Sequence, residues 1–192
     1  MTNLDRRTNT AGAYVLCDGY FVFMFGFGSN HGENELGVAR LGGHREKGES
    51  AVQCAIREVR EEASLDIALY RSPFTYFEQK NEHRKNKGKQ ETNPILVLKY
   101  DNRLSLMYLA YGSGALRPAM ETQGILLLRK EDIAMICADR LTFGAYKKNG
   151  GKFVLVQQLP EQAILVPHTP LRFLNKLFDL ESEMMAEFMK AS

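Results

Sequence analysis

The chain has too few cysteines, too oddly placed, for a disulfide framework: Cys17, Cys54 and Cys137 are odd in number and far apart in its 192 residues. They form neither a bridge network nor a metal knuckle, which suits a reducing compartment, and a cytoplasmic location is expected. Charge of one sign is also lacking, since 25 Lys and Arg against 23 Asp and Glu leave a formal net charge of +2. So balanced a chain is not expected to coat nucleic acid or a membrane, although local patches remain. Long apolar runs are missing as well. The longest candidate, AYVLCDGYFVFMFGFG, is broken by Asp18-Gly19, and no stretch reaches the roughly 18 apolar residues of a membrane span. The opening MTNLDRRTNT is polar, without the apolar core of a secretory signal. There is no internal repeat or low-complexity tract, and His31, His44, His83 and His168 show no ligand spacing.

What remains is a globular composition, 44% apolar and 25% charged, long enough to bury one core. A single domain over 1–192 is expected, with a C-terminal extension and helix from about 140. AYVLC and YFVFMF flank the Asp18-Gly19 turn and read as an antiparallel hairpin. Phe21, Phe23, Phe25 and Phe27 alternate and share one sheet face, either a core face or a stacking platform for a purine. GFGSNHGENELG reads as a loop. A helix is expected from about Ser50 to Ala63 with Ser50 as N-cap. LDIALYRSPFTYFEQ reads as extended, KNEHRKNKGKQETN as a polar, basic loop, and PILVLKY and LSLMYLAYG as strands. RPAMETQGILLL is a loop leading into a strand, and KEDIAMICAD a short helix. A last helix, with Thr169 as N-cap and Pro170 at N1, carries a stripe of Leu171, Leu174, Leu177, Phe178 and Phe188. That stripe is expected against the sheet or against a second subunit, which would make a homodimer. Strands on both sides of a buried helix imply a mixed sheet covered by helices, an α/β/α sandwich.

The unusual segment is REVREEASL, Arg57–Leu65. At about 100° per residue, Val52, Ala55, Ile56, Val59 and Ala63 fall within about 100° of one another. Glu58, Glu61 and Glu62 occupy a separate arc, and Arg57 lies apart from them, unable to neutralise all three. Left alone, such carboxylates repel and raise one another's pKa. A hard divalent cation, Mg²⁺ or Mn²⁺, relieves that repulsion, because it prefers oxygen ligands and keeps waters for exchange. The competing reading is a solvated acidic face. Upstream, LGGHREKGE places glycines around a tight turn that feeds the helix, and Arg57 is positioned to clamp Glu49 as a structural pair.

Gly43, five residues, Glu49, seven residues, then Arg57-Glu58-Val59-x-Glu61-Glu62-x-Ser64-Leu65 resembles the Nudix box. Ser64 stands where that family has glycine, at a helix end that favours left-handed geometry. Leu41 stands where the family often has proline. The looser resemblance runs from about Ala11 to Asp132 and implies the α+β Nudix fold.

The resemblance also implies a metal-dependent hydrolase of acid anhydrides. Such enzymes cut the pyrophosphate bond of a nucleoside diphosphate linked to another moiety by water attack at phosphorus. Glu58, Glu61 and Glu62 would be metal ligands together with the Gly42 carbonyl, for Mg²⁺ with Mn²⁺ as the alternative. Gly43, Glu49 and Arg57 would be structural. Glu61, Glu62 and a later loop carboxylate, Glu121, would carry catalysis, the competing reading of Glu121 being a solvated loop residue. The partner would be a small nucleotide, not nucleic acid or membrane. The basic stretch with Lys80, His83, Arg84, Lys85, Lys87 and Lys89 either meets an anionic substrate or is a solvated hairpin tip. No proline or tyrosine stands where it would mark an ADP-ribose or dinucleoside-polyphosphate enzyme, so the sequence names no substrate. A non-catalytic Nudix domain that senses a nucleotide or regulates a partner is the alternative.

Overall fold

The computed structural model describes residues 7–28, 32, 34–79, 82–88, 92–101, 103–119, 122–138 and 141–190. The chain divides into two compact units, one of Met1–Val15 with Leu41–Ala115, the other of Leu16–Arg40 with Leu116–Ser192. Both are α+β with a mixed sheet, as the sequence implies.

In the first unit, β1 (Thr8–Cys17) pairs antiparallel with the end of β3 (Glu35–His44), Thr10 opposite His44 and Ala13 opposite Leu41. On the other side of β1 lies β8 (Arg103–Ser113), which pairs antiparallel with β4 (Asp66–Leu69) and with β7 (Leu96–Tyr100). Next to β7 comes β5 (Phe74–Gln79), parallel to it, and then β6 (Glu82–Lys87), antiparallel to β5. Helix α1 (Ala51–Ala63) packs on β4 and β8. Its start is built as expected. Ser50 accepts from the Gln53 N–H and Gln53 reaches back to the Ser50 N–H, a complete capping box. Tyr14, Val15, Leu41, Val59, Leu65, Leu96, Met107 and Leu109 are buried in this unit's core.

In the second unit, β2 (Tyr20–Gly26) lies between β3 and β9 (Gly124–Leu128), antiparallel to both, and β10 (Lys152–Leu155) extends the sheet beyond β9. The short β11 (Ile164–Pro167) runs parallel to β3 from Glu35 to Val38. Asp18 at φ 49° and Gly19 at φ 78° make the turn ahead of β2, both left-handed, as a two-residue hairpin of right-twisted strands requires. Helices α2 (Lys130–Ala138), α3 (Phe143–Lys148), α4 (Thr169–Leu180) and α5 (Ser182–Lys190) complete the unit. Phe21, Phe23 and Phe25 are buried while Phe27, past the end of β2, is 41% exposed. The aromatic face is therefore core: Phe21 meets Phe178 edge-on with ring centres 5.7 Å apart, and Phe25 meets Phe143 at 5.0 Å.

Four expectations are corrected. The basic stretch contains a strand, β6, held by pairing to β5, because a polar strand needs only one partnered edge and no buried face. Lys80 and Lys89 fall outside the described residues. Leu41-Gly42-Gly43-His44 belongs to β3, and the tight turn lies just beyond, with Gly48 at φ 87°. The last helix starts one residue early, with His168 at its N-cap, and is two helices, interrupted at Glu181. Its apolar stripe packs on the sheet of its own unit, the first of the two expected alternatives, as Phe178 and Phe188 both meet Phe21.

Candidate active site

Helix α1 presents its carboxylates differently from a separate solvated flank. Ala51, Cys54, Ala55, Val59 and Ala63 are its buried residues, while Val52 and Ile56 are half-exposed. The buried arc is therefore rotated toward Cys54, and Glu58 and Glu62 lie within it. Glu58 has only 14% of its side chain exposed, against 54% for Glu61. The reason is β3. Its glycines leave a shallow trough under the helix, and Cys54 directs its Sγ at the Gly43 carbonyl, 3.6 Å away.

Each carboxylate has a definite partner. The Gly42 N–H donates to Glu62 Oε2 at 2.7 Å, with Gly42 at φ 139°, a backbone that glycine adopts without strain. Glu58 lies so close over Gly43 that a Cβ there would overlap its carboxylate. Arg57 Nη1 is 2.9 Å from Glu58 Oε1 and donates to Glu61 Oε2 at 2.8 Å. Arg57 thus pairs with two of the three carboxylates, which corrects the expectation that it stands apart from them. A long side chain reaches back across the turn where a Cα-based wheel shows separation.

The expected Arg57–Glu49 clamp is present as a two-pronged pair, Nε to Oε1 at 3.0 Å and Nη2 to Oε2 at 3.1 Å. Arg57 Nη2 also donates to the His44 carbonyl at 3.0 Å. Glu49 accepts a further bond from the Glu46 N–H. The hydrogen bonds from Arg57 hold the Glu49 carboxyl below its ordinary value, and donating to the Glu49 carboxylate, then to Glu58 and Glu61, holds the Arg57 guanidinium charged. Burial pushes the Cys54 thiol up to about 11, so it is an inert packing group.

Arg45 was not singled out in the sequence. It holds the turn from three sides: its N–H donates to the Asn9 carbonyl, its Nε to Thr8 O at 2.9 Å, and its Nη1 to Glu49 O at 2.5 Å. No spacing rule marks it, because its partners are carbonyls that only the fold brings near. At the far end of the helix, Ser64 sits at φ 57°, ψ 27°, the left-handed cap expected of a residue in a glycine position. Glu121 lies outside the described residues.

Among the described residues, no three carboxylate, imidazole or thiol groups are already gathered to hold an ion. In chemistry the donor set still suits a hard divalent cation: three carboxylates and the Gly42–Gly43 backbone, all oxygen, on facing segments of one unit. Arg57 bridges Glu58 and Glu61 through one nitrogen, and the Gly42 N–H holds Glu62.

The family model for the NUDIX domain matches residues 10–131, well over half the chain. The chain belongs to the Nudix family and is a pyrophosphohydrolase of that type. No curated protein matches it. Among solved structures it is similar to a NUDIX-family hydrolase from Clostridium perfringens, at 20% identity over 67% of this chain and 84% of that one, TM-score 0.49. It is also similar to a MutT protein from Methanosarcina mazei Go1 (15% identity, 91% and 94% covered, TM-score 0.48) and to a C. elegans Ap4A hydrolase (18%, 64% and 81%, TM-score 0.44). The family assignment rests on the sequence match. No described helix is long and apolar enough to cross a membrane.

Proposed function

We propose that the chain hydrolyses the pyrophosphate bond of a nucleoside diphosphate linked to another moiety, using Mg²⁺, or Mn²⁺ in its place, held by Glu58, Glu61, Glu62 and the Gly42 carbonyl. The observation that carries this reading is the seating of Glu58 and Glu62 against Gly43 and the Gly42 N–H. A carboxylate with no task beyond solubility is not normally drawn into a glycine trough at the buried side of a helix. The bound cation supplies neutralisation of phosphate charge and a water of lowered pKa. The chain's own residues set the rest. Glu49 and Arg57 fix the turn to the helix, so that Gly42 and Gly43 face Glu58 and Glu62 at constant spacing. Arg57, shared between Glu58 and Glu61, balances their charge before the ion arrives. Glu61 and Glu62 with Glu121 are the carboxylates proposed to take and hold the proton of the attacking water, whose oxygen becomes bonded to phosphorus as the bridging P–O bond breaks. The test is nucleotide release from a panel of nucleoside diphosphate derivatives, with and without Mg²⁺. Release that is metal-dependent and lost in Glu62→Gln is expected. Release that is equal in both proteins, or equal with and without metal, would sink the proposal.

A further inference from the structure

A cavity of about 340 Å³ opens on the sheet of the first unit, away from the glycine trough in its lining residues. It is lined by Phe77 and Glu78 of β5, Arg84 of β6, Val97 and Lys99 of β7, and Arg7 just ahead of β1, among others. The register explains why Phe77, Arg84, Val97 and Lys99 meet, while Glu78, next to Phe77 in β5, borders the cavity from the other face of the strand. Phe77 is opposite Arg84 on one side and Val97 on the other, and residues directly opposite in neighbouring strands project to the same face. Lys99 is two residues from Val97, so it shares that face. Arg7 is brought alongside because the Asn9 side chain accepts the Leu104 N–H at 2.9 Å, fastening the start of β1 to β8.

We infer that this cavity binds a nucleotide, its base against the Phe77 ring and its phosphates between Arg7, Arg84 and Lys99, without a metal ion. Three cations against the single acid Glu78 give the lining a surplus of two positive charges, which complements a diphosphate. Phe77, half-buried between strands, offers a rigid ring of the kind on which bases stack. On the opposite face of the same hairpin the situation differs: Lys85 already lies over the ring of Phe74, 3.8 Å from its centre, and near Tyr76. The volume is at the small end of ligand pockets and suits one base with its phosphates, not a strand of nucleic acid. Recognition here is by guanidinium, ammonium and ring, so it is independent of Glu58, Glu61 and Glu62. This also gives the basic β6 strand a role that the anhydride chemistry does not.

The test is calorimetric titration of the full chain with ADP in the presence of EDTA. ADP is expected to bind under these conditions, and to bind equally to Glu62→Gln. Arg84→Glu and Phe77→Leu should each weaken it at least tenfold. The exposed Arg84 can be reversed without touching a core, and leucine keeps the bulk of Phe77 while removing its ring. Adenosine and ribose 5-phosphate, each lacking one half of the recognition, should compete only weakly. Absence of ADP binding in EDTA, or unchanged affinity in folded Arg84→Glu and Phe77→Leu, would overturn the inference. So would binding of a single-stranded oligothymidylate where ADP fails, which would assign the face to nucleic acid.

Discussion

Glu62 is the residue at which the charge and the shape of the site can be separated. Glutamine at this position still accepts the Gly42 N–H that now lies 2.7 Å from the carboxylate, but it removes one negative charge. Glu62→Gln is expected to melt at or slightly above the wild-type temperature without metal, since carboxylate repulsion falls. Turnover and Mg²⁺ affinity should drop by more than the roughly 10–100-fold that loss of an outer partner costs. Gly43→Ala separates the same two properties by sterics. The new Cβ would overlap the Glu58 carboxylate, which is the far end of a flexible side chain. The stability cost should therefore stay below the roughly 1–3 kcal/mol of overpacking a rigid core, while turnover falls sharply because Glu58 must leave its seat. A melt and an activity assay on the one variant check both halves. Ser64→Gly works in the other direction. Relief of the left-handed cap, about 1–2 kcal/mol, is offset by the roughly 0.4–1 kcal/mol that glycine adds to unfolded-chain entropy. A rise of about 1–2 °C in Tm is expected for a chain of this size; a fall would show that the Ser64 side chain contributes more than its backbone costs.

At the scale of elements, α4 and α5 bury Leu171, Phe173, Leu174, Leu177, Phe178, Met184, Met185 and Phe188. Each such side chain contributes about 1.5–3 kcal/mol relative to exposure, so the pair outweighs the roughly 5–15 kcal/mol net stability of an ordinary domain. A chain truncated before Pro170 is expected to lose its cooperative melt and to associate through the uncovered face of Phe21. Sedimentation and a melt showing a monomer of unchanged Tm would remove these helices from the core. This is also where sequence reading was least able to locate a boundary. The apolar stripe runs on through Glu181, and the break is set by the packing of Phe178 and Phe188 on the same ring. For β6 the signal is masked for the opposite reason: HRKNK has no apolar alternation, since it is held by backbone pairing to β5 and by Lys85 over the Phe74 ring rather than by a buried face.

For the molecule as a whole, acid stability follows from the Glu49 carboxyl. Its value is lowered from the ordinary 4.5 chiefly by its hydrogen bonds to Arg57. A depressed carboxylate adds stability that is present above its unfolded value and is lost as pH falls through the folded one. Wild type should therefore lose more Tm than Glu49→Gln between pH 5 and pH 3, read by melts across that range. Equal slopes would take Glu49 out of the balance. The family, the capped helix, the Asp18-Gly19 hairpin, the left-handed Ser64 and the Glu49–Arg57 clamp are legible in the order of residues, because each depends on residues close in the chain or on a fixed spacing along one helix. That Glu58 and Glu62 turn inward, that Gly42 and Gly43 lie in a strand, and that Arg45 ties the turn to Thr8 and Asn9 follows from the folded arrangement alone. Those facts depend on what β3 and β1 present to α1, and a helical wheel knows the angle of a side chain but not which neighbour fills it.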